Sequence, residues 1–84
     1  MDVSLDDVDA DVVRKLWRHN YIGGKHTEVR SLVRGFDKGH ADAVEKSIKK
    51  LIRLNIIIAK KSTGQLHVSL NPRRIGEIRR IIGE

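Results

Sequence analysis

Apolar residues recur at helical spacing in four stretches of the chain and at strand spacing in one. Leu5, Val8, Val12, Val13, Leu16 and Trp17 fall three or four residues apart and predict helix 1 over about 5–19. Val29, Leu32, Val33 and Phe36 predict helix 2 over about 28–35, with Arg30, Ser31 and Arg34 pointing outward. Val44, Ile48, Leu51 and Ile52 predict helix 3 over about 41–54, with Asp42, Lys46, Lys49, Lys50 and Arg53 on the opposite face. Beyond Asn55 the period drops to two. Ile56 to Ala59 is a β-branched run, KKSTG reads as a turn, and Gln65 to Leu70 alternates polar with apolar, so a hairpin is predicted over about 56–70. Ile75, Ile78, Ile81 and Ile82 predict helix 4 over about 72–82.

Capping and turn residues punctuate this pattern. Ser4 with Asp7 three positions later resembles a capping box at the start of helix 1, where the aspartates also favour the positive end of the helix dipole. Asn20 to His26 reads as a loop or short strand, in which Gly23 and Gly24 allow positive φ. Thr27 is the expected cap of helix 2, and Lys25 and His26 just ahead of it make a candidate phosphate seat. Gly35 to His40 is the turn before helix 3, with Phe36 tucked back into the core. Asn55 tolerates the left-handed conformation that ends a helix. Asn71 caps helix 4 and Pro72 suits its first turn, while Gly76 weakens it by up to about 1 kcal/mol relative to Ala.

Eighty-four residues make one domain, 1–84, with no second core. Cysteine is absent, which excludes disulfides, thiolate metal sites and thiol nucleophiles. No apolar run approaches the roughly 20 residues of a membrane span, and the acidic N-terminus does not resemble a signal peptide, so a soluble cytoplasmic protein is the expectation. Charge changes the picture more. The net charge of +6 conceals a division, because Asp2, Asp6, Asp7, Asp9 and Asp11 crowd the first eleven positions. From Val12 onward all seventeen Lys and Arg stand against six carboxylates, a surplus that points to a polyanionic partner. The acidic flank would repel phosphates, which places helix 1 away from a nucleic acid. Helix 4 carries Arg73, Arg74, Arg79 and Arg80 around its apolar stripe. That stripe either covers the core beside helix 1 or meets a copy of itself, so a homodimer through helix 1 and helix 4 is one expectation.

The order helix, short extended piece, helix, turn, helix, hairpin, helix resembles a winged helix-turn-helix domain. HTEVRSLVRGF resembles the second helix of that family, AVEKSIKKLIRLNIII its third helix running into the wing, and KKSTGQ is similar to the wing tip. Many members carry Gly where this chain has Asn55. The resemblance covers roughly residues 5–70, with helix 4 a common appendage. It implies an α+β, mainly α fold: a three-helix core, a two-stranded wing hairpin and a C-terminal fourth helix. It also implies duplex DNA as partner, with helix 3 in the major groove and the wing on the backbone or minor groove. Carried over by position, it assigns Lys38 and His40 ahead of helix 3, Lys46, Lys49, Lys50 and Arg53 along it, and Lys60 and Lys61 in the wing. Lysines act mostly as point charges on phosphates, and Asp42 and Glu45 sit near the end that meets bases, so binding of low sequence specificity is expected. A transcription regulator or a chromatin-associated protein is the leading role. Structured RNA and a protein-interaction adaptor are the alternatives; single-stranded RNA is disfavoured by the scarcity of aromatic residues.

Catalytic chemistry finds no footing. GGKHT resembles a phosphate loop, but the first glycine of that motif would fall at His19. No serine lies in a nucleophile-elbow context. His19, His26, His40 and His67 lack metal-ligand spacing, although His26 and His67 approach each other if the segment before helix 2 pairs with the hairpin. The sequence therefore implies no enzyme, no cofactor and no metal.

Overall fold

In the computed structural model, which describes residues 4–84, the first helix, α1, spans Asp7–Arg18. Its cap is shifted from the expected Ser4–Asp7 box. Asp6 Oδ1 accepts from the Asp9 amide and Asp9 Oδ2 accepts from the Asp6 amide, each at 2.9 Å. The competing box has the same spacing, and burial of Asp9 selects the register. After α1 come the two-residue strand β1 (Thr27–Glu28), α2 (Val29–Arg34), a 3₁₀ turn over Lys38–His40, and α3 (Ala41–Arg53). The hairpin is β2 (Ile57–Ser62) and β3 (Gln65–Leu70), and a 3₁₀ turn over Pro72–Arg74 leads into α4 (Ile75–Ile82). The result is a mainly helical α+β fold with four helices and one three-stranded antiparallel sheet in the order β1-β3-β2.

The third strand corrects one expectation. Thr27 does not cap α2; it pairs with Val68 of β3, and Glu28 occupies the cap position without a side-chain hydrogen bond. Backbone pairing has taken the residue that local capping would have used. Just before it, Gly23 sits at φ +62 and donates to the Leu70 carbonyl, while Leu70 donates to Tyr21. The segment is therefore fastened to the end of β3 at two places.

Left-handed residues close α1 and α3. Asn55 (φ 61) follows α3: its amide donates to the Ile52 carbonyl and that of Ile56 to Leu51, the paired bonds of a Schellman motif. Asn20 (φ 59) closes α1 in the same way, through Trp17 and Leu16. The hairpin turn is shorter than KKSTG. Only Thr63 (φ 51) and Gly64 (φ 78) turn, with both φ positive as in a type I′ turn, so Lys60 and Lys61 lie within β2.

Every helix and both hairpin strands feed one core: Val12, Val13 and Leu16 from α1, Leu32 from α2, Val44, Ile48 and Leu51 from α3, Ile57, Val68 and Leu70 from the sheet, and Ile78 from α4. The radius of gyration, 11.8 Å, is what one compact unit of this length has, about 12 Å. Helix α4 packs on α1 of its own chain with Ile78 fully buried and Ile75, Ile81 and Ile82 against the core. Of the two uses open to the apolar stripe, the fold takes the intramolecular one. Asn71 caps this segment as expected, its Oδ1 accepting from the Arg73 amide at 3.0 Å. Among the described residues no helix is long and apolar enough to cross a membrane.

Candidate nucleic-acid interface

Helix α3 divides cleanly into faces. Val44, Ile48 and Leu51 are buried, while Asp42, Glu45, Lys46, Lys49 and Arg53 are exposed on the far side. Steps of three and four from Lys46 to Lys49 to Arg53 stack the three cations along one line of that surface. Arg53, in the last turn, also favours the negative end of the helix dipole. Lys38 and His40 lie exposed on the 3₁₀ turn leading into the helix, with His40 Nδ1 3.9 Å from the Asp37 carboxylate.

Lys50 does not belong to this face. Its ammonium turns towards α1 and donates to Asp9 Oδ2 at 2.6 Å and to the Ser4 carbonyl at 2.8 Å. Asp9 is only 1 % exposed, and its other oxygen accepts from Ser47 Oγ. Burial alone would raise the Asp9 carboxyl. Hydrogen bonds from Lys50, Ser47 and the Asp6 amide, with the charge of Lys50, outweigh it and hold the group below its usual value. Lys50 is thus a neutralised structural cation. The same contact brings the acidic start of α1 beside α3. Asp6 and Lys46 line one groove between the two helices.

Strand alternation separates the two wing lysines. Lys60 opposes His67, which opposes Glu28 on its other side, so these three share the outer face of the sheet. Lys61 opposes Leu66 on the face that carries Val68 and Leu70 into the core. Both are exposed on an edge strand, since β2 has a partner on one side only. Lys25 and His26 stand apart from α3. The Lys25 ammonium lies 5.7 Å from the Tyr21 ring centre, and His26 Nδ1 lies 2.9 Å from His67 Nδ1. Lys50 apart, the other nine candidate residues form three groups: the outer line of α3 with the turn before it, the hairpin edge, and the segment ahead of β1. The sequence reading omitted Arg30 and Arg34, exposed on α2, which packs against α3. Their outward helical positions were the available signal.

No family model, no curated protein and no solved structure matches the chain.

Proposed function

We propose that this chain is a winged helix-turn-helix domain that binds duplex DNA with low sequence specificity, as a transcription regulator or chromatin-associated protein. The observation that carries the reading is the exposed line of Lys46, Lys49 and Arg53 on α3. That helix is held by its opposite face in the core and followed by a two-stranded hairpin whose edge bears Lys60 and Lys61. The element order on which the resemblance rests, helix, short strand, helix, turn, helix, hairpin and helix, supports the reading.

Charge balance sets the character of the complex. Asp42 and Glu45 share the outer face with the three cations and lower its net charge to +1. Arg53 is the single guanidinium there, and bidentate guanine reading favours Arg. The helix accordingly grips phosphates more than it reads bases. Anisotropy titrations of a mixed-sequence DNA duplex, with the matching RNA duplex as competitor, test the proposal. Binding to DNA that is lost in the Lys49→Glu/Arg53→Glu variant supports it. Preferential binding of the RNA duplex transfers the surface to structured RNA, and binding of neither duplex at low salt removes the reading.

A further inference from the structure

We propose that His26 and His67 together bind a divalent transition-metal ion, copper(II) or nickel(II) in preference to zinc(II). The two imidazoles come from parts of the chain forty-one residues apart and meet with their Nδ1 atoms 2.9 Å from each other. Pairing of Glu28 with His67 and of Thr27 with Val68 fixes the two backbones, so the rings are presented by a hydrogen-bonded sheet and not by a loose loop. Both residues are half-buried.

The ring geometry serves a metal better than it serves the contact now made. Two neutral imidazoles in this position share one proton, so a single N–H···N bond joins them. The ring centres are 4.7 Å apart and the planes cross at 83°. That is closer than two nitrogens meeting head-on at 2.9 Å would leave the ring centres, so the bond is bent. Imidazole–metal bonds are about 2.0–2.1 Å, which sets two ligands at right angles about 2.9 Å apart and a tetrahedral pair about 3.4 Å apart. The observed separation is that of the right-angled pair. The ring torsion beyond Cβ is soft, so turning both Nδ1 lone pairs onto one point needs no backbone movement. The ring carrying the Nδ1 proton moves it to Nε2 on binding.

Ligand chemistry selects the ion. Imidazole suits copper, nickel and zinc, whereas magnesium and calcium require oxygen donors. Among the described residues no third His, Asp or Glu completes a cluster, so water fills the remaining positions. Glu28 and Lys60 flank His67 on either side across the sheet, and their opposite charges leave the local field near balance. An ion here ties the segment just ahead of β1 to the middle of β3. The proposal is independent of DNA binding and is tested without it.

Calorimetric titration of the full chain with nickel(II) chloride, with magnesium chloride as control, is the first test. The expected result is one equivalent bound, weakened at least about tenfold by His26→Gln or His67→Gln and unchanged by His19→Gln/His40→Gln. Nickel affinity that survives the double His26→Gln/His67→Gln substitution overturns the proposal. A second measurement needs no variant: with substoichiometric copper(II), the imidazole proton resonances of His26 and His67 broaden before those of His19 and His40. Equal broadening of all four, or the reverse order, also overturns it.

Discussion

The Lys50 ammonium meets the Asp9 carboxylate at 2.6 Å across the α1–α3 interface, and this contact decides which lysines of α3 are free. Asp9 is 1 % exposed and the Lys50 side chain 27 %. Removing either partner strands the other in a poorly solvated position. Asp9→Asn is expected to cost about 3 kcal/mol, the low end for breaking a buried pair because Lys50 keeps some water. Urea denaturation measures it, and Lys50→Met is expected to lose a similar amount without lowering duplex affinity at a temperature where it stays folded.

The same pair predicts an acid limb in stability. The Asp9 carboxyl is lower in the folded chain than its ordinary value of about 3.9, so the folded state favours its charged form. Its contribution is complete above that ordinary value and is lost as pH falls through the lower folded value. Denaturation midpoints of the native chain are expected to fall more steeply below about pH 4 than those of Asp9→Asn. Parallel pH curves for the two proteins would contradict the assignment.

Asn55 holds a left-handed conformation at φ 61. Asn and Ala share the Cβ strain of this conformation, but only Asn has a short polar side chain that offsets it locally, so Asn55→Ala is expected to destabilise by up to about 1 kcal/mol and Asn55→Gly to be neutral or mildly stabilising. Chemical denaturation of the two variants checks the ordering.

Gly35 tests how α2 is docked. A Cβ built there lies 2.6 Å from both Cε and Nζ of Lys15, whose ammonium donates to the Gly35 carbonyl and sits 5.0 Å from the Phe36 ring centre. Gly35→Ala displaces that flexible side chain, and the expected loss is about 0.5–1 kcal/mol. In a Lys15→Ala background the obstacle is gone, and the ordinary gain of Gly→Ala, about 0.4–1 kcal/mol, is expected to emerge. Additive effects in the double-mutant cycle would refute the contact.

Helical spacing made the four helices legible, and Asn55 made the end of α3 legible, because both are local signals. The third strand was not legible: Thr27–Glu28 is two residues long, has no period, and exists only because β3 lies beside it. The cap of α1 was misplaced for a related reason. Ser4–Asp7 and Asp6–Asp9 are equivalent boxes in sequence, and only the distant Ser47 and Lys50 distinguish them. Lys50 itself lies on the polar arc of α3, and nothing local shows that α1 places a carboxylate opposite its edge. The approach of His26 to His67 was conditional on strand pairing, and the pairing supplies it.

Salt dependence of duplex binding tests the central claim most directly. With Lys46, Lys49, Arg53 and Lys60 on four phosphates, log K is expected to fall with log salt at a slope of about −3.6, reduced to about half by Lys49→Glu/Arg53→Glu and unchanged by Lys50→Met. A slope near zero, or one that ignores the Lys49 and Arg53 reversals, would contradict the account.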